Sequence, residues 1–102
     1  MITFPLKTEW FDKIESGVKT IEYREYKEYW IKRILIQGSE LQKNKNGCLV
    51  LNTHKQCVFR KGYTKNILYA DISKIEIWDK RENDLHSGKV FAIHLENVRR
   101  TL

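Results

Sequence analysis

From Ile67 to Asp79 the chain reads ILYADISKIEIWD, and no other stretch restricts the possible folds so sharply. Leu68, Ala70 and Ile72 alternate with Tyr69 and Asp71, the period of two by which a strand sends successive side chains to opposite faces. Ile75 and Ile77 continue the alternation in the other phase, as a long strand does when an extra residue near Ser73 forms a bulge. A second alternating run, KVFAIHLENV from Lys89, sets Val90, Ala92 and His94 against Phe91, Ile93 and Leu95. Upstream, CLVLN and CVFRKG are separated by Thr53, His54, Lys55 and Gln56, a spacing that fits a β-hairpin.

The first half of the chain mixes two periods. Ile2, Phe4 and Leu6 alternate with Thr3, Pro5 and Lys7, which predicts a strand. Pro5 has no N–H to give a neighbour, so that strand belongs at a sheet edge. Thr8 then caps a short helix with Trp10, Phe11 and Ile14 on one face and Glu9 and Asp12 in the first turn. Gly17 supplies the left-handed residue that ends it at Ser16 or Gly17. KTIEYRE returns to period two, Ile21 and Tyr23 on one face and Thr20, Glu22 and Arg24 on the other. Trp30, Ile31, Ile34 and Leu35 recur at helical spacing opposite Lys32 and Arg33, which predicts a second short helix from Glu28 to about Ile36, although the β-branched residues there also suit a strand. Gln37 to Gly47, polar and rich in Lys and Asn, reads as an exposed loop.

No repeat, low-complexity tract or linker divides the chain. Its 102 residues suffice for one core, with roughly 60–65% of the surface buried on folding. The expectation is a single domain over residues 1–102, α+β and mainly β. About five to six strands and two short helices close into a small β-barrel, because closure removes sheet edges that so short a chain cannot otherwise cover. In such a barrel Ile21 and Tyr23 anchor their strand, and Glu22 and Arg24 take the opposite face.

A net charge of +6 and a pI near 9.4 favour an anionic partner. Nucleic acid leads, because cations that neutralise phosphates release condensed counterions; a merely basic surface is the plainer alternative. With 41% hydrophobic and 31% charged residues, the composition is neither disordered nor membrane-like. No run approaches the ~18 apolar residues of a spanning helix. MITFPLK lacks the regions of a signal peptide, so a cytoplasmic location is expected. Cys48 and Cys57 are too few for a disulfide scaffold and lack the paired spacing of a zinc site; free thiols are expected. His54, His86 and His94 are not gathered into a metal site, and neither metal nor cofactor is expected.

Two stretches carry candidate site chemistry. In SGVKTIEYRE, Ser16 to Glu25, Glu22 and Arg24 share one strand face, where a guanidinium can fork to a phosphate or a base edge. Lys19, at the turn into the strand, adds a cation to the same place. The alternative is that Glu22 and Arg24 pair with each other and staple the fold, since charges facing a barrel interior are costly unless they bind something or pair well. In FRKGYTKN, Phe59 to Asn66, Arg60, Lys61 and Lys65 surround Gly62 and Tyr63. Cations beside an exposed ring suit single-stranded nucleic acid; a solvated turn with Tyr63 folded into the core is equally open. Trp10, Phe11 and Trp30, at helical spacing, read as core.

SGVKTIEYR resembles the G-x-K-x-x-E-x-R signature of ASCH domains, the activating-signal-cointegrator homology family, with Gly17, Lys19, Glu22 and Arg24 in its four positions. EWFDKIESG is similar to the helix that leads into the motif in that family, and the length is similar to that of small stand-alone bacterial and phage members. The likeness is strong from Ile2 to about Trp30 and compatible in order of elements thereafter. It implies a PUA-like β-barrel and an RNA- or nucleoside-binding cleft beside the motif, with Lys19, Thr20, Glu22 and Arg24 as ligand-binding residues. One branch of the family resembles an amidohydrolase acting on N4-acetylcytidine, with the motif G-x-K-T-x-T-x-R; Lys19 and Thr20 match it and Glu22 replaces the second threonine. An adjacent carboxylate favours the ammonium form of Lys19, which is not nucleophilic, and Arg24 opposes that effect. The acidic catalytic residue of that branch has no match in ILYADISKIEIWDKRENDLHSG. A small ribonuclease using Lys19, Glu22 and Arg24 as general acid, base and phosphate clamp is a further reading. A binding module and a hydrolase both stay open, with Lys19 and Glu22 the catalytic candidates of the latter.

Overall fold

The ILYADISKIEIWD run forms one continuous strand in the computed structural model, which describes residues 1–35, 40–43, 49–52, 54–79 and 88–101. Along these residues the elements are β1 (Ile2–Leu6), α1 (Thr8–Glu15), β2 (Ile21–Glu25), α2 (Glu28–Ile34), β3 (Glu40–Lys43), β4 (Leu49–Asn52), β5 (Gln56–Lys61), β6 (Ile67–Asp79) and β7 (Lys89–Arg99). The fold is α+β and mainly β, with one strand more than the six runs identified from alternation; the addition is β3.

β6 is the spine. Its 13 residues pair antiparallel with β7 along one edge, from Tyr69↔Arg99 to Asp79↔Lys89. The other edge is divided: β5 takes its first part, from Arg60↔Ile67 to Gln56↔Asp71, and β4 its second, from Leu51↔Ile75 to Leu49↔Ile77. Register shifts fall between Tyr69 and Asp71 and between Ile72 and Lys74, so the bulge expected near Ser73 is present and a second precedes it. Bulges bend a strand and strengthen its twist. The sheet curls into a barrel-like form in which β1, parallel to β5, lies beside β2, antiparallel to β7. Among the described residues no β1–β2 ladder closes the ring; Arg24 on β2 donates instead to the Pro5 carbonyl of β1 at 3.0 Å.

Pro5 sits on an edge strand, as its missing donor requires, and Ile2, Phe4 and Leu6 are buried. Three expectations need correction. Thr8 is the first helical residue rather than the cap: Lys7 holds the extended N-cap position without a side-chain bond, and its carbonyl accepts from the Trp10 and Phe11 N–H groups. The two runs CLVLN and CVFRKG do not form a hairpin with one another. A long β6 offers more ladder than one short strand can fill, so β4 and β5 lie end to end along it, and the Ile72 N–H bonds the Lys55 carbonyl at the join. The polar stretch Gln37 to Gly47 contains β3, paired antiparallel with β4 from Glu40↔Asn52 to Lys43↔Leu49. As an outer strand it has no need of an apolar alternation to signal it, and a polar edge resists pairing with another chain. The remainder of that stretch, with Ile36, Cys48 and His86, lies outside the described residues.

Phe4, Phe11, Ile14, Ile34, Phe59, Leu68, Ile75, Phe91 and Ile93 are fully buried and form one core. Phe4 meets Phe59 and Trp30 at centroid distances of 5.7 and 5.2 Å. Val90, Phe91, Ala92 and Ile93 are all inaccessible, so this part of β7 is covered on both faces. Cys57 is a free, buried thiol; burial first, then the charges of Glu22 and Asp71, push its pKa up to about 12. No helix among the described residues is long and apolar enough to cross a membrane.

Candidate functional site

Gly17 adopts φ +83 just after α1, a conformation that costs a residue with a Cβ about 1 kcal/mol or more. Its N–H bonds the Ile14 carbonyl and the Lys19 N–H bonds that of Lys13, so the chain reverses tightly into β2. The faces of β2 are then the opposite of the expectation. Glu22 is only 6% exposed, whereas Ile21 and Tyr23 are half-buried, Tyr23 with its ring 5.6 Å from that of Trp78.

Burying a carboxylate is tolerable here because each of its oxygens accepts a hydrogen bond and two cations lie beside it. Glu22 Oε1 accepts from the Tyr23 N–H at 3.0 Å and lies 3.7 Å from Lys19 Nζ. Oε2 accepts from Arg24 Nη2 at 3.0 Å. Arg24 Nη2 makes the bond to Pro5 as well, and the guanidinium carbon rests 5.1 and 4.9 Å from the Phe4 and Trp30 ring centroids. Among the described residues Nε is covered and has no hydrogen-bond partner, and Nη1 makes no hydrogen bond, on a side chain that is 15% exposed. Lys19 Nζ lies 5.4 and 5.0 Å from the Trp10 and Tyr23 centroids. Lys19, Glu22 and Arg24 are thus at once mutually paired and gathered on one pocket.

That pocket has a volume of about 350 Å3 and opens between β1, α1 and β2. Trp10, Tyr23 and Trp30 give it aromatic walls. Lys7, Lys19, Arg24 and Lys27 outnumber its two carboxylates, Glu22 and Glu25. Its size is at the small end of ligand sites. No family model, no curated protein and no solved structure matches the chain.

Of the motif residues, Lys19, Glu22 and Arg24 line the pocket and Thr20 does not: its side chain is exposed and its carbonyl accepts from the Leu95 N–H. Phe11 is core, but Trp10 is half-buried and contributes to the pocket, a role hidden in its helical spacing. The second candidate patch is divided. Arg60 and Tyr63 line a separate groove of about 660 Å3, and Tyr63 is fully exposed, which removes the core alternative. Lys61 points to the other face of β5, 3.1 Å from Asp12 Oδ1 and 5.5 Å from the Phe11 centroid; Lys65 is exposed and lines neither space. His54 Nε2 donates to the Arg33 carbonyl at 2.9 Å, and His94 Nε2 lies 2.5 Å from the buried Glu76 Oε1. Among the described residues no three potential metal ligands come together.

Proposed function

We propose that the 350 Å3 pocket binds the base-bearing part of an RNA or a nucleoside, and that the chain is an ASCH-type domain with a PUA-like barrel. The observation that carries the reading is the Arg24 guanidinium. It is fixed by Glu22, by the Pro5 carbonyl and by two aromatic rings, while Nη1 makes no hydrogen bond among the described residues and the side chain lines a pocket where cations outnumber carboxylates. A donor already held in place loses little freedom on binding, and a guanidinium suits a phosphate or a base edge. Half-buried Trp10 and Tyr23 add flat apolar area of the kind on which bases stack.

The four signature positions also act as one unit, which supports the family reading. Gly17 makes the reversal, Lys19 arrives at Glu22, and Glu22 holds Arg24. Within the same reading, Glu22 is only 6% exposed and its two oxygens hold the Tyr23 N–H and Arg24, which suits a brace better than a general base open to a substrate and favours binding over hydrolysis.

Titration with the four nucleoside monophosphates and with an RNA octamer tests the pocket. Arg24→Lys keeps a cation beside Glu22 and removes the remaining guanidinium donor, Nη1, so affinity should fall about tenfold, or ~1.4 kcal/mol. Undiminished binding by both Arg24→Lys and Lys19→Gln rules the pocket out. Acetate release from N4-acetylcytidine, or RNA cutting, that disappears in Lys19→Ala would replace the binding reading by the hydrolase.

A further inference from the structure

We infer that the groove on the other side of β1 is a second subsite, which takes the flanking nucleotides of a single strand whose base occupies the first pocket. The inference rests on that pocket's being a base site, and it makes the ligand a single-stranded nucleic acid rather than a free nucleoside. The groove is lined by Tyr29, Arg33, His54, Arg60 and Tyr63 together with the start of β1.

Three observations support it. The first is continuity: Pro5 lines both spaces, and a file of stacked groups joins them. The Arg33 guanidinium carbon lies 3.6 Å from the Tyr29 centroid, Tyr29 meets Trp30 edge-on at 4.9 Å, and Trp30 carries Arg24 at 4.9 Å. The second is charge. No carboxylate lines the groove among the described residues, and neither Arg33 nor Arg60 has a carboxylate partner there. By contrast, Lys32, Lys61, Arg99 and Arg100 are each held by Glu28, Asp12, Asp71 and Glu15 in turn. The third is apolar exposure. The large hydrophobic side chains exposed among the described residues are Met1, Val18, Tyr29 and Tyr63, and all but Val18 line this groove.

Guanidinium groups with no carboxylate partner among the described residues, Arg33 bonded only to the Tyr29 carbonyl at 2.9 Å, beside exposed rings are what a single strand needs, the cations meeting phosphates and the rings meeting bases. The supports are built in. Gly62, at φ +58, turns the chain between β5 and β6 and bonds the Leu6 carbonyl at 2.8 Å, which ties the Tyr63 turn to β1. The His54 bond to the Arg33 carbonyl ties the end of α2 to the segment before β5. Both rings and both arginines are therefore presented from anchored positions.

The test compares the four nucleoside monophosphates with random-sequence octamers of RNA and of DNA, single-stranded and duplex, by fluorescence anisotropy and NMR shift titration. A single-stranded octamer should bind at least tenfold tighter than any monophosphate and tighter than the duplex. Tyr63→Ala, whose ring lines the groove and not the first pocket, should cut octamer affinity about fivefold or more and leave monophosphate affinity unchanged. Arg33→Gln with Arg60→Gln should lower the slope of log K against log salt by about 1.4, the yield of two single-strand phosphate contacts. All three side chains are exposed, so the melting temperature reports whether each variant is folded. If monophosphates bind and octamers gain nothing, or if octamer affinity ignores the groove variants, the second subsite is refuted and the first pocket stands. Failure of monophosphates and octamers alike refutes both.

Discussion

Glu22→Ala is the most informative single change. Glu22 is 6% exposed and is joined to the Tyr23 N–H, to Lys19 and to Arg24. Its removal leaves a largely buried guanidinium and an ammonium beside it without their shared counter-charge. Breaking a buried pair by deleting one partner costs about 3–5 kcal/mol, a large share of the ~5–15 kcal/mol that holds a domain of this size together. At about 4 °C or more per kcal/mol, the melting temperature should fall by at least ~12 °C. Glu22→Gln, which keeps the acceptor for the Tyr23 N–H and removes only the charge, should lose less. Thermal unfolding followed by circular dichroism gives both numbers, and a cycle with Arg24→Met isolates the pair as a coupling of about 1 kcal/mol or more. A drop below ~4 °C for Glu22→Ala would show that the carboxylate does not brace the site, and the geometric reason for a fixed Arg24 would go with it.

The trio can also be replaced together. Lys19→Met, Glu22→Leu and Arg24→Met in one chain removes the buried charges along with their desolvation cost, so stability should stay within about 2 kcal/mol of the parent while binding of nucleoside monophosphates is lost. Cys57, inaccessible and with its pKa near 12, should resist iodoacetamide at pH 8 in a Cys48→Ser background and react once the chain is unfolded. Because the folded thiol holds its proton more tightly than the unfolded one, whose ordinary value is 9.0, its contribution is fully present below pH 9. That contribution declines as pH rises towards 12, by at most ~1.4 kcal/mol per unit, and Cys57→Ala should abolish that part of the alkaline slope in denaturant titrations. Gly17→Ala meets no atom within 4 Å, so its cost is conformational alone, about 1 kcal/mol, readable as a fall of about 4–8 °C in Tm.

What was legible in the sequence is what depends on near neighbours. The β6 alternation with its change of phase, the edge position of a strand containing Pro5, and the end of α1 just before Gly17 each follow from a few consecutive residues. The division of β6 between β4 and β5 was not legible, because it depends on how much ladder a distant long strand leaves unfilled. β3 escaped notice because an outer strand does not need apolar alternation. At the site, parity showed that Glu22 and Arg24 share a face but not which face points inward. The charges suggested outward, and only the contacts among Lys19, Glu22, Arg24 and Pro5 explain the reverse. Trp10 was read as core because its helical spacing cannot separate a fully buried ring from one that borders a pocket.

The pairing pattern also dictates when this site can come into being. Both walls of the pocket, β1 and β2, leave the ribosome before their partners, for β1 has its ladder partner in β5 and β2 has its partner in β7, about seventy residues later in the sequence. Such distant pairings close late, after the adjacent β5–β6 and β6–β7 hairpins have formed. A nascent chain halted before Lys89 carries Lys19, Glu22 and Arg24 but lacks the β7 strand with which β2 pairs, so ligand capture must wait for β7 to be synthesised.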